Sequence, residues 1–343
     1  MNFQLSSDQI ALRDGLIALL EGRFSLETIR AREGQASVVD RTLWEQLAET
    51  GVFSILVPES LGGLGLGMTD AVIATEALGH ALLPGPVIGT MLAAGTIAGA
   101  AEGSTLVGLL ASNGQGPLPA VIELPGDCDG YLVLPDPRDT ASPVGYAPRG
   151  AFTADTPTRS LDPLHPVGRL HLPLPTGDVE LHERADVLRR RALLLGSGFE
   201  VGLATFALEH AVAYAKERHQ FGRPIGSFQA IKHLLADELA RLELARAALH
   251  YAAVITDEPE VAAIDGEVSG LSVTQMQWRA TAGAKLLCDQ AALSSTKTAV
   301  QVYGGMGYTW EVPIHLALKR ARVHSTLLGS TDQMAELVAT LAS

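Results

Sequence analysis

The chain has 343 residues, 47% of them apolar, enough for two or three packed units around a sizeable core. Its net charge of −13, with no basic stripe, argues against a nucleic-acid partner, because phosphate neutralisation needs clustered Lys and Arg. Two cysteines, Cys128 and Cys288, are too few for a disulfide framework and show no metal-ligand spacing, so they read as ordinary buried thiols in a reducing cytoplasm. The first residues carry no signal-peptide pattern. No apolar run approaches the roughly 18–20 residues that span a bilayer, so a membrane location is not expected.

In chain order, Ser6 or Ser7 is placed to cap a first helix whose apolar residues recur at Ile10, Leu12, Leu16 and Leu20. Further helical patterns run from Leu43 to Thr50 and from Thr69 to His80, and between them GVFSILVPESLGGLGLG breaks the helix with glycine and proline. After residue 104 the character changes. Twelve of the eighteen prolines fall within 105–184, among short apolar runs such as VIEL and GYLVLP, which read as a small β domain. From residue 185 onward, Ala- and Leu-rich patterns of helical period return, enough for four helices in a bundle, with a glycine-rich break from Gly304 to Gly307. The expected organisation is helical (1–104), β (105–184) and helical (185–343), a mainly α chain with a central β domain.

Two stretches carry most of the chemistry. YAKERHQFGRPIGSFQ, from Tyr214 to Gln229, contains Arg218, whose guanidinium offers a planar fork of donors suited to a pyrophosphate. The plain alternative is a surface pair with Glu217 or Glu209. QVYGGMGYTWE, from Gln301 to Glu311, contains Gly304 and Gly305, where the missing Cβ lets a ligand approach the backbone, although a simple helix break reads the same way. Other patterns are weaker. LGGLGLG, from Leu61 to Gly67, lacks GxGxxG spacing, and the ten histidines form no HxxxH or HExxH, so neither a dinucleotide fold nor a metal site is expected. Gly196-Ser197-Gly198 reads as a device for helix packing, not a nucleophile elbow.

In order and in residue detail the two stretches resemble the flavin-binding motifs of the acyl-CoA dehydrogenase family, and GVFSILVPESLGGLGLG resembles the loop before the helix that lines that family's acyl-CoA site. The resemblance runs from the first helix to about residue 334. It implies an acyl-CoA dehydrogenase-like fold with an N-terminal helical domain, a small reduced β domain and a C-terminal four-helix bundle. It also implies FAD, with Arg218 on the diphosphate, Gln229 as an amide contact, Phe221 and Gly222 shaping the turn, and Gln301, Gly304 and Gly305 as a second cluster. In the family, these residues are donated across a subunit interface to a flavin held mainly by the neighbour. The residues a subunit uses for its own flavin ring and substrate have no counterpart. No TEPxAGSD-like segment occurs in the β region, where VIELPGDCDG and DPRDTASPVG are the nearest runs. The YEGT-like run that carries the catalytic base reads LLGS here, so Leu328 stands at the base position, and Ala192 occupies the alternative position on the helix before the first motif. Arg320 stands where the family usually has an acid, which reads as surface remodelling toward a different partner.

These matches resemble the short, non-catalytic subunits of heterotetrameric actinobacterial dehydrogenases that act on CoA thioesters of steroid side chains. They imply a dimer of heterodimers in which a homologous catalytic acyl-CoA dehydrogenase subunit supplies the base and binds most of the acyl-CoA. Two further readings stay open. One is a self-sufficient flavoenzyme using Glu200, Glu209, Glu311 or Asp332 as base, and the other is a structural subunit without FAD contacts. Glu200, in the apolar run LLLGSGFEVGLA, is expected at an interface or facing solvent, since a buried carboxylate would need a partner.

Overall fold

Helix starts are set by side chains that satisfy the free N–H groups of the first turn. The computed structural model describes residues 5–111, 120–134, 144–154, 160–170, 174–175, 177, 179–181 and 183–342. In it Ser6, not Ser7, caps α1 (Ser7–Arg23): its hydroxyl accepts from Gln9 N at 3.2 Å while Gln9 Oε1 accepts from Ser6 N at 3.0 Å. The chain continues through α2 (Leu26–Arg30), α3 (Arg41–Ala48), α4 (Met68–His80) and α5 (Val87–Ala93). The start of α4 is capped from far along the chain. Asp257 accepts from Met68 N at 2.7 Å, from Thr69 N at 2.9 Å and from the Thr69 hydroxyl.

β1 (Val107–Ala111), β2 (Ala120–Glu123), β3 (Gly130–Leu134), β4 (Gly145–Pro148), β5 (Val167–Leu170) and β6 (Val179–Glu180) form one sheet in the order β5-β2-β1-β3-β4-β6. β1 and β3 pair in parallel with Leu109 opposite Leu132, and the other pairs are antiparallel, as at Leu110 and Ile122. Every residue of β1 and β3 is buried, which is why both are continuous apolar runs without alternation. VIEL and GYLVLP thus contribute to strands, while most of DPRDTASPVG (136–143) lies outside the described residues. The sheet is tied to α3 by Arg41, which donates to both carboxylate oxygens of Asp129 at 2.8 and 3.0 Å.

α6 (Ala185–Glu217), a short hairpin of β7 (His219–Gln220) and β8 (Arg223–Pro224), α7 (Gln229–Asp257), α8 (Pro259–Ser269), α9 (Val273–Tyr303), α10 (Ile314–Leu327) and α11 (Thr331–Ala342) complete a mostly helical chain. α6 lies at its centre and packs against α4, α7, α9 and α10. The α4–α6 crossing is close because it is lined with glycine. A Cβ on Gly198 would strike Thr75 Oγ1, one on Gly202 the Glu76 carbonyl oxygen, and one on Gly79 the Phe199 carbonyl oxygen. The GSG run therefore serves helix packing, as its sequence suggests. α6 also corrects one expectation, because by length and composition it is apolar enough to cross a membrane. Its most apolar window is 89% buried inside the protein, so the apolar character is that of a core helix.

Asp257→Ala removes the acceptor for three donors at the start of α4 and should cost about 1–2 kcal/mol, read as a lower urea midpoint. Gly202→Ala forces α4 and α6 apart and should cost about 1–3 kcal/mol in the same assay.

Candidate functional site

The C-terminal ends of α6 and α9 carry the two motif stretches. Arg218 is the C-cap of α6, its N–H donating to Tyr214 O at 2.8 Å, and its carbonyl accepts from Ile225 N at 2.8 Å to close the hairpin. At the hairpin tip Phe221 (φ 53°) and Gly222 (φ 77°) both adopt the left-handed conformation, a turn that matches the twist of the paired strands. Phe221 is not a glycine, and its ring is 91% exposed, so both its backbone and its side chain are held in an unfavourable state. Gln229 opens α7. Gln301 lies in the last turn of α9, Gly304 caps that helix at φ 61° and ψ −138°, and Gly305 follows in a 3-10 turn.

The structure brings these segments together through Tyr214 and Tyr303, whose rings stack with centroids 4.1 Å apart and planes inclined by 16°. Arg218, Gln229 and Gln301 are exposed, and a Cβ on Gly304 or Gly305 would meet nothing within 4 Å. Arg218 forms no ion pair with Glu217 or Glu209, and Glu209 instead pairs with His80 at 2.8 Å. The hydrogen bond to His80 is the main reason the Glu209 carboxyl sits below the usual range. The surface thus presents a guanidinium without an ion pair among the described residues, two amides, a largely exposed ring and bare glycine backbone.

The two base positions present the opposite picture. Ala192 is 0% and Leu328 3% exposed, and Leu328 packs beside Gly196 near Ile88. Neither side chain can accept a proton. Of the carboxylates weighed as replacement bases, Glu311 and Asp332 are exposed, and Glu200 corrects its sequence reading because it faces neither solvent nor a surface. Its Oε1 lies 2.7 Å from Lys285 Nζ, which also reaches Asp289 Oδ1 at 2.5 Å and the His324 carbonyl at 3.5 Å, with all three charged side chains fully buried. One ammonium faces two carboxyls. Burial, with Asp289 adding to it, pushes Glu200 well above the usual carboxyl range. Burial works against the charge on Lys285, but Glu200 and Asp289 outweigh it and hold the ammonium above the ordinary lysine range. Glu200 therefore holds a proton more tightly than an ordinary carboxyl does, inside the core between α6, α9 and α10.

Arg320 is also corrected. It is buried, with Nε 2.5 Å from Asp162 Oδ2, Nη1 donating to Leu83 O at 2.8 Å and Nη2 to Leu164 O at 3.2 Å. It ties α10 to the segments before α5 and β5, so the charge change is an internal strut and not a remodelled surface. The i,i+4 spacing of Lys285 and Asp289 in an otherwise apolar run was a signal for the buried cluster. Asp162 gave none, because it lies in an aperiodic, proline-rich segment.

Protein-family models match most of the chain: "Acyl-CoA dehydrogenase, N-terminal domain" over residues 6–103 and "Acyl-CoA dehydrogenase, C-terminal domain" over residues 194–342. Acyl-CoA dehydrogenase IpdE2 of Mycolicibacterium smegmatis is 31% identical over 328 residues, covering 95% of this chain and 96% of its own. Among solved structures, the ChsE4-ChsE5 complex from Mycobacterium tuberculosis matches with a TM-score of 0.80 at 24% identity, covering 99% of this chain and 98% of that one. The Tcur3481-Tcur3483 steroid ACAD G363A variant matches with a TM-score of 0.79 at 24% identity, covering 97% of each chain.

Glu200→Gln keeps the shape of the side chain and removes its titration. Because the native pKa is raised, the stabilisation from Glu200 is complete below the ordinary carboxyl range and is lost as pH rises through the native value. The wild-type chain should lose up to about 1.4 kcal/mol per pH unit across that window. The Gln variant should give a flatter profile in urea unfolding followed from about pH 5 to 9.

Proposed function

The chain belongs to the acyl-CoA dehydrogenase family, whose cofactor is FAD, and from that membership we propose that it is the non-catalytic subunit of a heteromeric acyl-CoA dehydrogenase. It contributes Arg218, Phe221, Gln229, Gln301, Gly304 and Gly305 to FAD across a subunit interface. A homologous catalytic subunit supplies the base and holds most of the acyl-CoA, in a cytoplasmic dimer of heterodimers. The observation that carries this reading is a contrast within one chain. Arg218, Gln229, Gln301, Gly304 and Gly305 are exposed, with no ion pair to Arg218 among the described residues, while both base positions are buried and apolar.

The residues present fit the cofactor. A guanidinium with no ion pair among the described residues suits a diphosphate, which takes two parallel hydrogen bonds from such a group. The open backbone at Gly304 and Gly305 admits close approach, and a ligand or neighbour over Phe221 would relieve its exposure. FAD, when bound, would accept the hydride that leaves the β-carbon of a CoA thioester. Removal of the α-proton needs a carboxylate near that carbon. Leu328 and Ala192 cannot provide one, and Glu200 is committed to Lys285 within the core, which disfavours a self-sufficient enzyme. The likeness to the ChsE4-ChsE5 complex and to the steroid ACAD Tcur3481-Tcur3483 supports a two-subunit assembly acting on a steroid CoA thioester, for which we infer a side-chain substrate.

The test is the FAD-to-chain ratio, from flavin absorbance and native mass, for the chain alone and together with a homologous subunit that carries a carboxylate base. A colourless chain alone and one FAD per heterodimer support the reading, whereas a homo-oligomer with one FAD per subunit overturns it. Within the heteromer, Arg218→Ala should weaken FAD binding about 10- to 100-fold, the range expected for a lost charge-assisted contact. Unchanged affinity would instead assign a purely structural subunit.

A further inference from the structure

We propose that Tyr214 and Tyr303 are positioning residues that hold the two FAD-contacting stretches in fixed register, an inference that rests on the cofactor reading above. Tyr214 lies one turn before Arg218 and accepts that residue's N–H through its own carbonyl. Tyr303 follows Gln301 by two positions and directly precedes Gly304. Their rings stack at 4.1 Å between centroids, and each hydroxyl then reaches across to the helix or turn of the other. Tyr303 Oη donates to His210 O at 3.4 Å, one turn back along α6, while Tyr214 Oη donates to Met306 Sδ at 3.7 Å, inside the glycine-rich turn.

The arrangement is reciprocal, and it sits where the backbone needs it. Both stretches begin at the C-terminal end of a long helix, where carbonyls lose their helical partners and the last turn opens most easily. A ligand gripped at once by Arg218 and by Gln301 requires the two ends to keep one separation. The core packing of α6 on α9 sets the helix axes. The tyrosine pair is the cross-link at the exposed ends, with both rings only half-buried.

The test measures FAD affinity by flavin fluorescence on the full-length chain with its homologous subunit, together with the melting temperature of each variant. Tyr303→Leu should weaken FAD binding about 3- to 10-fold, the scale of one aromatic pair. Tyr303→Phe, which keeps the stack, should retain near wild-type affinity. Val302→Ala, a buried neighbour on the same turn, serves as the control for general destabilisation. Wild-type affinity in Tyr303→Leu overturns the proposal. So does a loss in Val302→Ala that matches Tyr303→Leu at equal melting temperature, and so does a Tyr303→Phe variant as weak as Tyr303→Leu. Arg218→Ala separates the two levels: if it weakens FAD while Tyr303→Leu does not, only the positioning role fails, and if it has no effect the cofactor reading fails first.

Discussion

The arrangement of the helical core depends on how one buried ammonium is satisfied. Lys285 on α9 reaches Glu200 on α6, Asp289 one turn along its own helix, and the carbonyl of His324 on α10. A buried charge that loses a partner typically costs about 3–5 kcal/mol, whereas the same charge in a satisfied set is tolerated. This asymmetry makes the cluster a register pin. Sliding α6 along α9 by one turn would take Glu200 from Lys285 and leave it Asp289 and the His324 carbonyl, so the cluster favours one register of α6 on α9. Register at the cluster is carried along both helices to their C-terminal ends, where Tyr214 meets Tyr303 and the two motif stretches lie side by side.

The same chain treats two regions in opposite ways. At the helix ends it keeps polar and glycine-rich surface exposed, including Phe221 in a conformation that neither its backbone nor its ring favours. In the interior it closes space with apolar and mutually paired groups: Leu328 beside Gly196, Arg320 on Asp162, and Lys285 with its two carboxyls. A region that must hold a reacting acyl group cannot be packed to this density. The proposed non-catalytic role would need no such space, and a partner covering the helix ends would relieve the exposed strain there.

Much of this was legible from residue patterns because the governing rules are local. The Ser6 cap, the apolar runs of β2 and β3, the packing role of Gly196-Ser197-Gly198 and the two motif stretches were each read from a few neighbouring residues. What was misread depends on contacts distant in sequence. Arg320 looked like a surface change because its partner Asp162 lies 158 residues away in a stretch without periodicity. Glu200 was read at an interface or facing solvent because its partner Lys285 lies 85 residues on. The apolar character of α6 escaped notice because its charges are spaced along the helix and are absorbed inside the core. The pairing of Tyr214 with Tyr303 was invisible for the same reason, since each is an ordinary aromatic residue in its own helix.

The cap on α4 carries a consequence for how the chain is made. Its acceptor, Asp257, follows Met68 by 189 residues, and the face α4 buries is supplied largely by α6. During synthesis the amino-terminal helices therefore emerge long before the residues that finish them. Until the ribosome has delivered α6 and the end of α7, α4 has a loose first turn and an uncovered apolar side, and such unfinished surfaces invite aggregation. The folding unit is accordingly most of the polypeptide, and the amino-terminal segment does not mature as an independent module.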